Sequence, residues 1–218
     1  DCTPCVTTMF PDLIQRCRFL LVKLSPMLDI RVALKALKYV CEVHVVSVDG
    51  ECRELLLLLG GHCCGPVSFH CVNLGRRPVA FCVQEAETVV PVVADVPLEY
   101  LYEPNASVLK AGVQDALCAR FDVEKLHRNS NLFTASRLVE NFPGRAFRVQ
   151  ACHDFSKQSL KSLQAQMTKA NLTVRNFPST VEQLRKRLKL KDGGDVYLFA
   201  TTLSGERHVL LQCEKIKE

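Results

Sequence analysis

The chain is read as an α/β protein, and three features of its 218 residues point that way. Between Arg18 and Leu59, short apolar runs flank an amphipathic stretch; the pair Asp49-Gly50 separates two strand-like segments; and a second alternation of strands and helices fills residues 144–218. The first region has the order strand, helix, strand, two-residue turn, strand, which is that of the closing half of a nucleotide-type sheet. The last has the order β-α-β-α-β-β, a small open sheet with two helices.

The elements follow from local chemistry. Arg18 to Ser25 (RFLLVKLS) has the length of a strand buried on both faces. Ser25-Pro26 ends it, because the residue before proline is pushed out of helical geometry. A helix over Pro11 to Cys17 precedes it. From Leu28 to Tyr39, apolar positions Leu28, Val32, Ala33, Ala36, Leu37 and Val40 recur every three or four residues around Arg31, Lys35 and Lys38, which predicts a helix with one face on the sheet. Glu42 to Val48 and Glu51 to Leu59 flank Asp49-Gly50, a pair that accepts the positive φ of a type I′ hairpin turn. In nucleotide-type sheets a glycine-rich turn after the first strand holds the cofactor. The pairs Gly60-Gly61 and Gly193-Gly194 do not open a helix after a strand, so neither reads as such a loop.

Ser68 to Gln84 holds two strand-like pieces around Gly75-Arg76-Arg77-Pro78, and an acidic, Val- and Pro-rich connector runs from Glu85 to Pro97. A strand through Tyr102-Glu103-Pro104 leads into a helix carrying Val108, Leu109, Leu117 and Phe121, with no catalytic motif. Ala146 to Asp154 alternates as a strand. Ser156 starts a helix with Leu160, Leu163 and Met167 on one stripe and Lys157, Lys161 and Lys169 off it. After a strand over Asn171 to Phe177, Ser179-Thr180-Val181-Glu182 reads as a capping box. On the helix it opens, Val181, Leu184 and Leu188 share a face, Lys186 and Lys189 point nearly opposite, and Arg185 and Arg187 lie on the flanks. Asp195 to Thr202 and Arg207 to Cys213 form a closing hairpin.

With 48% hydrophobic and 23% charged residues, the composition is that of an ordinary globular chain with room for two or three units. The longest purely apolar run, Leu55 to Leu59, is too short to cross a bilayer, and the first residues lack the order of a signal peptide. The expectation is a cytoplasmic location and no membrane partner. The 12 cysteines sit in apolar stretches, Cys41, Cys82, Cys118 and Cys213 among them, and are expected as buried free thiols acting as small hydrophobes. The sharper alternative is metal, because Cys2 and Cys5 have CxxC spacing and His62, Cys63, Cys64, His70 and Cys71 crowd one loop. A structural zinc site needs four ligands converging tetrahedrally. Adjacent Cys63 and Cys64 do not readily both turn inward, so no metal is expected.

The formal net charge of +5 is unevenly spread. Residues 1–100 carry 9 Lys plus Arg against 11 Asp plus Glu, whereas residues 101–218 carry 19 against 12. Gly144 to Lys191 alone holds 11 basic residues against Asp154 and Glu182. That is an electrostatic footprint for a polyanion, with a merely solvated helix face as the plainer alternative. Stacking aromatics are few beyond Phe177, so backbone or shape recognition is expected rather than reading of bases.

Three stretches, DCTPCV…LVKLSPMLDI…VHVVSVDGECRELL, EYLYEPNASVLKAG and RNFPSTVEQLRKRLKLKDGGDVYLFATT, together resemble the C-terminal part of a bacterial family classed among class I S-adenosylmethionine-dependent methyltransferases, with a ferredoxin-like linker and a THUMP-like C-terminal domain. The resemblance implies that residues 1–62 are the C-terminal half of a Rossmann-like methyltransferase sheet, 63–143 a strand pair and ferredoxin-like linking module, and 144–218 a THUMP-like domain. It also implies that the donor-binding half and the catalytic loop lie upstream. No catalytic residue is then carried over; S-adenosylmethionine belongs to the full-length protein, and this chain alone binds no cofactor and is inactive.

THUMP domains accompany RNA-modifying enzymes, so the implied partner is RNA, with Lys157, Lys161, Arg175, Asn176, Arg185, Lys186 and Lys189 as candidate contacts. At the carboxyl end of the first strand, Lys23, Ser25 and Pro26 would face the substrate crevice; otherwise they form only a strand-ending turn. The expected function is the substrate-binding, sheet-completing region of an RNA methyltransferase. A stand-alone nucleic-acid-binding module and a protein-interaction module are the alternatives.

Overall fold

The computed structural model describes residues 5–63, 65–75, 77–85 and 89–216. The chain divides into two units, Asp1–Thr88 with Asn105–Ala116, and Val89–Pro104 with Leu117–Glu218.

In the first unit, strands β1 (Phe19–Leu24), β2 (Val40–Val48), β3 (Glu51–Gly60), β4 (Ser68–Leu74) and β5 (Val79–Gln84) form one sheet in the order β1-β3-β2-β4-β5. Asp49 and Gly50 take φ of +48° and +84° and close the β2–β3 hairpin, as the sequence predicts. The strand pair β4–β5, read from sequence as opening the middle module, instead extends this sheet through parallel pairing of β4 with β2. Alternate residues Val43, Val45, Leu55, Leu57, Leu59, Phe69, Phe81 and Val83 are buried. Helix α3 (Ala106–Ala111) packs on β2, β3 and β4.

Helix α1 (Val6–Arg16) starts before the predicted Pro11 and carries that proline inside it. Helix α2 (Ile30–Ala36) is shorter than predicted: Asp29 caps it by accepting from the Arg31 and Val32 amides, and Tyr39 at φ +61° turns the chain into β2. The expectation that β1 is buried on both faces is corrected. It is the edge strand, antiparallel to β3, and leaves Phe19 51% and Leu21 60% exposed.

The second unit is built on β6 (Tyr100–Pro104), β7 (Glu124–Lys125), β8 (Phe133–Ala135), β9 (Gly144–Asp154), β10 (Asn171–Arg175), β11 (Val196–Leu203) and β12 (Arg207–Lys215), in the order β10-β11-β12-β9-β6-β8-β7. Helices α5 (Lys157–Gln166) and α6 (Val181–Leu188) join β9 to β10 and β10 to β11, which gives the predicted β-α-β-α-β-β order. Leu160, Leu163, Leu172, Leu184, Leu188 and Leu198 form the core beneath the helices. Alternation along the strands sends Leu101, Phe147, Phe199 and Leu211 to a second core with Leu126 and Leu132. The single helix expected through Val108 and Phe121 is two, α3 and α4 (Ala116–Phe121), because Gly112 at φ +72° ends the first.

Gly144 pairs with Pro104 across β9 and β6, and a Cβ there would collide with the Glu103 carbonyl. Gly144→Ala is expected to cost about 1–3 kcal/mol through forced displacement of this ladder, read as a lower urea midpoint; an unchanged midpoint contradicts the close approach.

Candidate nucleic-acid interface

Local capping sets the two helices that carry the exposed lysines. Ser156 caps α5, its Oγ accepting from the Ser159 amide at 3.1 Å. On α6 the capping box is Thr180 with Gln183, one residue later than the predicted Ser179 with Glu182: the Gln183 amide donates to Thr180 Oγ1 at 3.3 Å, and the Thr180 amide donates to Gln183 Oε1 at 2.9 Å. Both boxes are spelled in the sequence. In the later one Glu182 falls in the first turn, where the helix dipole favours an acid. Gln164 Nε2 ties α5 to the Arg187 carbonyl at 2.6 Å, and Lys189, at φ +55°, terminates α6 in the left-handed region.

The basic residues of 144–191 are sorted by where they stand. Arg148 pairs with Glu99 at 2.9 Å, and Arg185 with Asp192 at 2.8 Å. Glu103, only 5% exposed, receives Arg145 and also Arg175, whose Nη2 lies 2.7 Å from Oε1. Arg175 alternates with the helix-side residues Leu172 and Val174, so it rises on the sheet face away from α5 and α6. Asn176, at φ +50°, donates its side-chain amide to His127 Nδ1 at 2.9 Å and accepts the Thr202 hydroxyl on its carbonyl. His127 in turn donates Nε2 to Glu206 at 3.2 Å.

The predicted candidates therefore do not all come together. Lys157, Lys161, Lys186 and Lys189 are exposed on the helix side, free of carboxylate partners among the described residues. Arg185 is half-buried in its ion pair, while Arg175, on the other face, pairs with Glu103 and Asn176 bonds His127. Basic residues noted in the sequence but left out of the candidate contacts join the helix side. A parallel bridge sets Lys169 beside Lys191, and Arg187 lies 4.9 Å over the Phe155 ring, which meets Phe177 edge-on. The bridge joins two loops more than twenty residues apart, a proximity with no local sequence signal.

In the first unit, Lys23 pairs with Glu54 at 2.9 Å, and Ser25 Oγ accepts from the Met27 amide at 3.2 Å. With half-buried Pro26, Ser25 thus builds the turn that ends β1. The cysteines divide. Cys71, Cys118 and Cys213 are buried, and burial pushes the Cys71 and Cys213 thiols up to about 12. Cys82 and Cys152 are exposed, and Cys41 forms a disulfide with Cys63, both departures from the expected buried thiols. Cys2 of the CxxC pair and Cys64 lie outside the described residues. His70 and Cys71 belong to β4, not to a loop, and alternate between its faces.

Residues 100–143 match a family described as a ferredoxin-like domain, and residues 144–215 match one described as THUMP domain-like. None of the curated proteins matches the chain. Among solved structures, the crystal structure of a "putative methyltransferase" from Porphyromonas gingivalis W83 matches all of the chain at 34% identity with a TM-score of 0.93. The chain spans 56% of that protein's length.

Glu103→Ala is expected to lower stability by about 2 kcal/mol, because it strands two arginines, each discounted from the fully buried case by its exposure. Lys186→Ala is expected to stay within about 0.5 kcal/mol of the parent. Thermal unfolding of the two variants checks this, and equal shifts contradict the division between internal and free cations.

Proposed function

We propose that this chain is the sheet-completing and substrate-binding C-terminal region of an S-adenosylmethionine-dependent methyltransferase that acts on RNA. The observation that carries the reading is the full-length likeness to the Porphyromonas gingivalis protein, of which this chain covers just over half. The strand order β1-β3-β2, with β1 at the open edge and Phe19 and Leu21 exposed on it, supports completion of the sheet by further strands. In this reading residues 1–62 close a Rossmann-like sheet whose donor site and catalytic loop lie in the other half. The turn at Ser25-Pro26 then borders the substrate crevice, where Lys23 adds a cation on the exposed face of β1.

RNA is held by the helix side of the THUMP-like unit. Lys157, Lys161, Lys186 and Lys189, with Lys169 and Lys191, offer point charges to phosphates, and the shortage of exposed aromatics favours recognition of backbone and shape. Glu103 keeps Arg175 out of this surface.

Two measurements test the proposal. Affinity for bulk transfer RNA across a salt series is expected to fall steeply, and the double variant Lys186→Glu/Lys189→Glu is expected to reduce the log–log slope by about 2, at about 0.7–0.9 per phosphate contact. Lys35→Glu, on the exposed side of α2 and outside the proposed contacts, serves as the control that leaves the slope unchanged. Salt-insensitive binding, or binding indifferent to the helix reversals, removes RNA from the account and leaves a protein-interaction surface. Calorimetry with S-adenosylmethionine is expected to show no binding to this chain by itself, and a bound donor would overturn the assignment of the donor site to the other half.

A further inference from the structure

The outer face of the first sheet brings together side chains that the methyltransferase reading does not use. Glu42 and His44 project from β2, His70 from the parallel strand β4, and Cys82 from β5. The register sets His44 directly beside His70 and His70 directly beside Cys82. Glu42 Oε2 lies 2.7 Å from His44 Nε2 and 3.8 Å from His70 Nε2, and Cys82 Sγ lies 4.0 Å from that same His70 nitrogen. The two imidazoles stack with centroids 4.5 Å apart and planes 9° from parallel. On the flank toward β3, Leu56 and Leu58 stand opposite His44 and Glu42 and wall the cluster with apolar surface.

From this arrangement we infer a binding site for a divalent transition-metal ion of the zinc type, ligated by Glu42, His44 and His70. Two histidines and one carboxylate are a zinc donor set, and such a set leaves one coordination position free. With Zn–N and Zn–O bonds of about 2.0–2.2 Å, ligand atoms in a tetrahedral site stand about 3.4 Å apart. The two Glu42–histidine separations, 2.7 Å and 3.8 Å, bracket that value, and all three ligand atoms lie within 4.8 Å of one another. The same Glu42 oxygen faces both Nε2 atoms, so the carboxylate and the two imidazoles are grouped around one point. Because the rings are stacked nearly parallel, ligation of one ion by both Nε2 atoms requires them to tilt out of the stack. The fourth position is left to water, with the Cys82 thiol at its border. Among the described residues these are the three His, Cys, Asp or Glu side chains whose ligand atoms converge. The ion would pin β2 to β4, the junction through which β4 and β5 join the sheet.

The site is independent of the RNA-binding proposal, and its test does not depend on activity. After chelation, the full chain is expected to retain one equivalent of Zn(II) in equilibrium dialysis. His44→Ala and His70→Ala are each expected to weaken binding by more than the roughly 10–100-fold that loss of an outer partner costs, whereas His62→Ala and Cys5→Ser leave it unchanged. The three ligands are only half-buried, and circular dichroism checks that each variant is folded. In the unsubstituted chain, 15N spectra of the histidine side chains are expected to show the Nε2 resonances of two rings moving on addition of Zn(II). No retained metal, retention indifferent to both histidine substitutions, or unmoved ring resonances would overturn the site.

Discussion

The second unit depends on one buried carboxylate. In a flat sheet β10 and β6, four ladder steps apart, would stand about 19 Å from each other. Arg175 at the end of β10 nevertheless reaches Glu103 on β6 at 2.7 Å, so the sheet must coil between these two strands, with β8 and β7 continuing beyond β6. Glu103 is buried and Arg145 stands opposite it on the neighbouring strand, so one side chain bonds guanidinium groups from two distant strands. Such a cluster adds little net stability over apolar packing, but it tolerates no loss of a member and so fixes the curvature. The aromatic packing of Phe147 against Phe199 and Tyr197 fills the concave side that results.

Curvature then decides what the charges can do. Arginines on the strands are consumed by carboxylates, whereas lysines on α5, α6 and the loops beyond them keep their heads in water. The helix side collects positive charge because the inner side has taken the arginines that could be neutralised. The helix side thus presents mostly flexible ammonium groups, with the Arg187 guanidinium over Phe155 among them, a surface suited to following a phosphate backbone.

How much of this was legible varies with the range of the interaction. The β2–β3 hairpin, the N-cap of α5 and the last six elements are fixed by neighbours a few residues apart, and Asp49-Gly50, Ser156 and the amphipathic spacing announce them. Competition between equivalent local signals moved the α6 cap from Ser179 to Thr180. What could not be read was long-range pairing. Nothing in the sequence says that Ser68–Leu74 pairs in parallel with β2, and on that register the convergence of Glu42, His44 and His70 depends. The pairing of Arg175 with Glu103 spans 72 positions, so the sequence gives no sign that this candidate contact is engaged by a carboxylate.

The first unit has an open edge at β1 with exposed apolar side chains, whereas the second coils its sheet around the Glu103 cluster. An open edge can take a partner strand and a lysine-studded helix face can take an anion; in the proposed function the two units thereby divide completion of a fold from capture of a substrate. The most direct test of that division is photochemical cross-linking of the chain to bulk transfer RNA, with the linked peptides mapped by mass spectrometry. Cross-links concentrated in residues 157–169 and 185–191 are predicted, whereas cross-links confined to the strands β9, β11 and β12, or spread evenly over residues 1–84, would contradict the account.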